Sequence, residues 1–327
     1  MKAVFITAPG GPEVLELREV DIPALGPGQI RVQVHATALN RADLLQRRGQ
    51  YPAPPGAPPN IPGLEYAGIV DEVAADAQRW RVGDRVMGLV GGGAYAQYVV
   101  VHQDEALPVP AHWLLEEAAA VPEAFLTAHD ALFTLMQLKE NQTVLIHAVA
   151  SGVGTAALQL ASVLGARVIG TTRTKEKIEG LRALGIDHVV DVTHSDWIEE
   201  VDRLTKGAGV HGILDLVGGD YLPGNIRSLT PRGRLIVVGL TAGSTAPLDL
   251  RAVLRKRLTI IGTVMRTRTL EEKIAATQAF ERTALSWLEA GIVRPVIDRV
   301  LTINKVAEAH RALEANETVG KIVLIWP

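Results

Sequence analysis

The stretch Thr143-Val144-Leu145-Ile146-His147-Ala148-Val149-Ala150-Ser151-Gly152-Val153-Gly154-Thr155-Ala156-Ala157 decides the fold of this chain. It opens as a continuous apolar run, which predicts a strand over 143–148. It then passes through a Gly-x-Gly-x-x-Ala turn at 152, 154 and 157 into a helix of small residues over 154–164. Apolar strand, tight turn and small-residue helix are the context in which such a turn binds the pyrophosphate of a dinucleotide. On this reading Gly152 permits the turn, Gly154 lets the backbone approach the pyrophosphate, and Ala157 keeps helix close to strand. Ser151, Gly152, Val153 and Gly154 offer the phosphates free amides and the positive end of the helix dipole.

The alternation continues downstream. Strand-like segments at 167–171, 189–192, 212–217 and 234–239 alternate with helical ones such as 175–184, and a further helical spacing over 123–138 precedes them. Strands alternating with helices argue for a parallel sheet covered on both faces, and wholly apolar strands such as Val144-Leu145-Ile146 fit that burial. The first third reads differently, as short strands at 2–7, 14–20, 29–38 and 66–73 separated by Gly and Pro clusters. Its Pro-rich stretch 51–62 predicts a stiff, extended loop, either a pocket wall or a surface connector. A long helix over 270–290 and β-type segments at 292–302 and 319–326 close the chain. That last part is too short for a core of its own and reads as a return to the first domain.

Composition narrows the function classes. The chain has 327 residues and a formal net charge of -3, so no broad basic field points to nucleic acid. The run Arg251, Arg255, Lys256 and Arg257 reads as the end of a helix before an edge strand. No apolar run is long enough to span a bilayer, and the N-terminus leads into a strand pattern, so a cytoplasmic location is expected. There is no cysteine, which removes disulfides, a thiol nucleophile and Cys-ligated zinc. The nine histidines form no HxxxH or HxH pair, and no metal site is expected.

The strand after the Gly-rich turn ends at Thr171-Thr172, where an NAD-specific protein usually carries Asp or Glu for the ribose 2′-hydroxyl. Here Thr172 is followed by Arg173, Lys175 and Lys177. Hydroxyls and cations suit a 2′-phosphate, and cations in a first helical turn otherwise oppose the helix dipole. NADPH is therefore the expected cofactor.

At this point the chain resembles the zinc-free quinone oxidoreductases, the zeta-crystallin-like branch of the medium-chain dehydrogenase/reductase superfamily. The likeness spans essentially the whole length. It rests on residues 40–51 (NRADLLQRRGQY), 62–68 (PGLEYAG), 82–86 (VGDRV), 92–96 (GGAYA), 126–128 (LTA), 151–157 (SGVGTAA), 262–268 (GTVMRTR) and 315–324 (ANETVGKIVL). The resemblance implies an α/β chain. A GroES-like β-rich catalytic domain would be made of 1–122 and 269–327, and a Rossmann domain with a doubly wound parallel sheet of 123–268. It also implies a homodimer paired through the Rossmann edge strand over 258–265. The superfamily's Gly-His-Glu stands here as Gly63-Leu64-Glu65, and Leu64 cannot bind a metal. A substrate carbonyl then has no Lewis acid, which favours an acceptor that is already electrophilic.

The resemblance places Asn40 and Tyr51 beside the nicotinamide and substrate. Asn40 would hydrogen-bond a substrate oxygen or the nicotinamide ribose, and Tyr51 would donate its hydroxyl to a developing quinol oxygen. Read without the family, Asn40 is a turn residue and Tyr51 a loop residue packed beside prolines. Asp43 reads as a cap or tether of the helix beside it. Thr127, Gly218, Gly239, Leu240, Val264, Met265, Arg266 and Lys321 complete the expected cofactor contacts, Asn40 among them. Relatives often carry Tyr at the place of Val192, which leaves Arg173 and Lys177 more of the 2′-phosphate. The expected activity is hydride transfer from NADPH to a quinone. Alternatives are reduction of a 2-alkenal or other enone, and a crystallin-like, NADPH-binding structural role.

Overall fold

The strand Thr143–Ile146 lies inside a six-stranded, all-parallel sheet in the computed structural model, which describes residues 1–327. By their first residues, the order across this sheet is His188, Arg167, Thr143, Val210, Leu229 and Thr259. The order reverses beside Thr143–Ile146, so the open ends of the neighbouring strands diverge there, as ligand-binding doubly wound sheets require. Val144, Leu145 and Ile146 are fully buried, and helix Gly152–Val163 packs Ala156, Ala157, Leu158 and Leu160 without exposure. Small side chains bring that helix down onto the sheet.

This sheet belongs to the compact unit formed by residues 127–264; the other unit is formed by 1–126 with 265–327. The second unit is built on a mixed seven-stranded sheet. Gln29–Ala38 is its long central strand, pairing antiparallel with Glu65–Val73, with Tyr98–His102 and with the late strand Lys321–Ile325. Arg85–Leu89, Ala106–Pro108 and Ile297–Thr302 complete it. The register Val323↔Ala38 sets the end of the chain beside the turn at Leu39 and Asn40.

Several elements differ from their sequence outlines for identifiable reasons. The strand expected over 143–148 stops at Ile146, because Ala148 takes a left-handed conformation (φ 48°) that turns the chain toward Ser151. The helix expected over 123–138 is α-helical only over Pro122–His129 and continues as a wider π turn, Asp130–Leu135. The β segment expected over 292–302 is strand only over Ile297–Thr302. Helix Leu270–Glu289 has the expected extent and starts on a Thr269–Glu272 capping box.

Gly68 sits where the register of Glu65–Val73 against Gln29–Ala38 shifts, and a Cβ there would lie 2.0 Å from the carbonyl oxygen of Gln33. Gly68→Ala should therefore destabilise the chain by about 2 kcal/mol. Urea unfolding of variant and parent would measure this, and an unchanged midpoint would contradict it.

Candidate active site

Glu65 ends up wholly buried because it starts a central strand between Leu64 and Tyr66, which are themselves in the core. A buried carboxylate needs donors. Its Oε1 accepts from Asn40 Nδ2 (2.8 Å) and from Lys321 Nζ (2.7 Å), and its Oε2 accepts from the backbone N–H of Glu123 (2.8 Å). Lys321, 5% exposed, spends its other two hydrogens on Leu39 O (2.7 Å) and Asn40 Oδ1 (2.5 Å). The Asn40 side chain is thus held at both ends. It does not cap the helix Arg41–Arg47; that task falls to Asp43, whose Oδ2 accepts from the Asn40 N–H (2.8 Å).

Asp43 is fully buried and also accepts from Gly63 N (3.0 Å) and from the Tyr95 hydroxyl (3.2 Å). Burial raises its pKa to about 6, against the pull of the two backbone donors and of Lys321 and Arg266. Glu123 is pushed further, to about 8, by burial and then by the negative charge of Glu65, with Lys321 opposing. The Glu123 residue is only partly covered, yet its Oε2 is closed off from solvent and has no hydrogen-bond partner.

Tyr51 is fixed from the other side by Arg266, itself 2% exposed. The guanidinium donates to Tyr51 O (3.1 Å), Gly91 O (2.7 Å) and Gln46 Oε1 (2.5 Å), and lies 5.0 Å over the Tyr51 ring. Three of the Arg266 donors thus go to the protein, one of them to the first residue of the Pro-rich loop. The Tyr51 hydroxyl has its pKa raised by burial, with Arg266 opposing and Glu123 adding to the rise.

In the unit 127–264, Ser151 is the N-cap of Gly152–Val163, and its Oγ accepts from Gly154 N (3.1 Å). That leaves the Gly152 and Val153 amides at the helix start as the donors for an anion. Gly154 answers a need of the turn itself, since a Cβ there would lie 2.6 Å from the carbonyl oxygens of Ala148 and Val149. On the adjacent strand, Thr172 is buried and its Oγ1 accepts from Thr174 N (3.3 Å), whereas Arg173 is exposed and close enough to Tyr221 to favour that ring's ionised form. Lys177 opens the helix Lys177–Ala183. Past the neighbouring strands, Asp215 Oδ1 accepts from the amides of Val217 and Gly218. Gly218, with φ 68°, faces Gly239 O and the exposed Leu240. Thr127 is buried and its Oγ1 lacks any partner. An orphaned hydroxyl, two open helix amides and an exposed arginine at the strand end fit a nicotinamide dinucleotide. Val264 is half exposed, and Met265 is packed into the core.

Leu64 is 1% exposed and offers no ligand atom, and no three His, Cys, Asp or Glu side chains are grouped to hold a metal ion. No helix is long and apolar enough to cross a membrane. Glu65 and Glu123 were not anticipated. A lone acid between Leu64 and Tyr66 in a strand was a usable signal for Glu65. Glu123, one residue after a proline at a helix start, looks like an ordinary first-turn acid.

Residues 26–111 match the alcohol dehydrogenase GroES-like domain family, and 152–282 match the zinc-binding dehydrogenase family. The chain is 34% identical over 329 residues to a quinone oxidoreductase of Pseudomonas aeruginosa, covering 99% of each. Among solved structures, an NAD-dependent alcohol dehydrogenase matches with TM-score 0.86 and 33% identity, covering 99% of both chains. A quinone oxidoreductase of Pseudomonas syringae matches with TM-score 0.88 and 31% identity, again over 99% of both.

Asp43 keeps its proton to higher pH in the folded chain than in the unfolded one, so its ionisation costs stability. The cost should enter as pH rises from about 4, the ordinary carboxylate value, to about 6 and stay constant above that. Asp43→Asn should remove this slope and also lower stability by about 2 kcal/mol through its poorly matched amide. Denaturant midpoints at several pH values check both, and an identical slope in the variant would refute the assignment.

Proposed function

We propose, for a chain that belongs to the quinone oxidoreductase branch of the medium-chain dehydrogenase/reductase superfamily, hydride transfer from NADPH to a quinone with no metal taking part. Oxidoreductase chemistry on a small molecule follows from the family; NADPH and the quinone are our own reading. The observation that carries it is the Asn40–Glu65–Lys321 cluster beside a clamped Tyr51, in a chain with Leu64 at the superfamily's ligand position and no cysteine. When bound, the dihydronicotinamide supplies two electrons as hydride. Gly152, Val153, Gly218, Gly239, Leu240, Val264 and Met265 are residues we assign to its binding, together with Thr127, whose hydroxyl is unpartnered; Lys321, its hydrogens committed to Glu65, Asn40 and Leu39, is assigned the positioning of Asn40.

The protein's part is orientation. Asn40 is locked between Glu65 and Lys321, so its amide cannot rotate away from a bound ligand, and Tyr51 offers a hydroxyl from a loop that Arg266 holds in place. Preorganised dipoles of this kind gain most of their effect by not having to reorganise during reaction. An acceptor that needs no Lewis acid suits such a site. We further propose pairing of two copies through Thr259–Gly262, the unpartnered edge of the parallel sheet, where Ile260 is 38% exposed.

Oxidation of NADPH with a panel of quinones, 2-alkenals and enoyl thioesters tests the acceptor. Turnover with quinones is expected, and turnover confined to activated C=C bonds would replace the quinone reading with an enone reductase. Arg173, in place of the acid that reads a free ribose hydroxyl, is the cation we assign to the 2′-phosphate. Arg173→Ala should raise KM for NADPH at least tenfold, the loss of one charge-assisted contact, and leave KM for NADH nearly unchanged. Equal effects on both cofactors would place 2′-phosphate recognition elsewhere.

A further inference from the structure

We propose that Glu123 is the proton donor of this site, giving a proton to the acceptor oxygen that becomes negative when hydride arrives; this rests on the hydride-transfer reading above. Glu65 is the acid paired to Lys321, and both its oxygens are filled by Asn40, Lys321 and the Glu123 amide. All three hydrogens of Lys321 are spent on Glu65, Asn40 and Leu39. Arg266 directs its donors to Tyr51, Gly91 and Gln46. Glu123 sits among Glu65, Asp43, Lys321, Arg266 and Tyr51, the charged and titratable groups that act on it or that it acts on; Lys321 has all three hydrogens committed elsewhere and three of the five Arg266 hydrogens go to Tyr51, Gly91 and Gln46, so neither cation hydrogen-bonds it. Its Oε2 is shielded and unpartnered. A buried carboxyl in that position is most stable as the neutral acid, and burial beside Glu65 carries its pKa to about 8. A neutral carboxyl whose Oε2 meets no protein partner has its proton available for an oxygen that a ligand brings to it.

The chemistry requires one. Hydride addition to one end of a conjugated quinone or enone leaves a negative oxygen at the other end. The Glu123 O–H bond breaks and an O–H bond forms on that oxygen. The electron pair stays on Glu123 as carboxylate charge until water returns a proton. The acceptor gains two electrons and two hydrogens in all, one as the hydride and one as this proton. Tyr51, whose pKa is raised, is the poorer acid of the two near neutrality and is left as a hydrogen-bond donor.

Glu123→Gln preserves size and an N–H donor but has no proton to give. Parent kcat should fall as pH rises through about 8. In the variant kcat should drop about 100-fold at pH 7 and lose that pH limb, with the Kd for NADPH unchanged. Infrared difference spectra of the cofactor-free protein supply a second readout: a protonated-carboxyl stretch should be present at pH 7 in the parent, titrate away near pH 8, and be absent from Glu123→Gln. Should that variant fold poorly, Glu123→Asp keeps the acid and should retain both the band and the pH limb at a reduced kcat. A kcat within twofold of the parent with the same pH limb, or no carboxyl band lost on substitution, overturns the proposal. A parent that oxidises NADPH with no quinone or enone overturns the hydride-transfer reading instead.

Discussion

The polar cluster of Asn40, Glu123 and Lys321 depends on one buried carboxylate. Glu65 begins a central strand of its sheet and is covered on all sides. Leaving such a charge unpaired in a low-dielectric interior would cost several kcal/mol. Its three donors come from three separate parts of the chain: the turn after Gln29–Ala38, the start of Pro122–His129 and the first residue of Lys321–Ile325. Satisfying Glu65 therefore fixes Asn40, Glu123 and Lys321 relative to one another. The charge is weak evidence for extra stability, because the ion pair only offsets its own desolvation. Its consequence is geometric: both Glu65 oxygens and every Lys321 hydrogen are paired, and Asn40 is held between them.

The parallel sheet was legible in the sequence because both its faces are covered. Strands such as Val144-Leu145-Ile146 then carry an uninterrupted apolar signal, and the Gly152–Ala157 turn appears where that strand gives way to its helix. Its finer roles were not legible. That Ser151 would take the Gly154 amide, that Gly154 would be demanded by the carbonyls of Ala148 and Val149, and that Thr172 would turn inward are matters of side-chain direction, which periodicity does not encode. The polar cluster was half visible. Asn40, Tyr51 and Lys321 stand in recognisable segments, but the acids that position them do not announce themselves. Glu65 was overlooked beside the more conspicuous Leu64. Arg266 also stands in a recognisable segment, but that its guanidinium reaches Tyr51, Gly91 and Gln46 is again a matter of side-chain direction.

Charge in this cluster is distributed unevenly. One carboxylate is matched to one ammonium whose hydrogens are all committed. Two further carboxyls, Asp43 and Glu123, are held toward their neutral forms by burial. Asp43 remains tied to backbone amides and to Tyr95, which in turn approaches His310, a ring kept neutral with its pKa lowered to about 3 by burial and by Arg47. Behind it Arg47 is neutralised by Glu314. The polarity thus runs inward from the site as a chain of satisfied groups, and the unsatisfied atom, Glu123 Oε2, lies at its working end.

Lys321 is separated from its partner Asn40 by 281 positions. A chain emerging from the ribosome would hold Asn40, Glu65 and Glu123 long before the ammonium that neutralises Glu65 exists. Until then a negative charge sits at the start of a central strand with no counter-ion, and the energetics favour keeping that region open to water. Closing so large a loop adds only a logarithmic entropy cost, so the delay is one of order of synthesis more than of search. A chain cut short of its last strand would leave Glu65 without its ammonium and Asn40 without one of its two anchors.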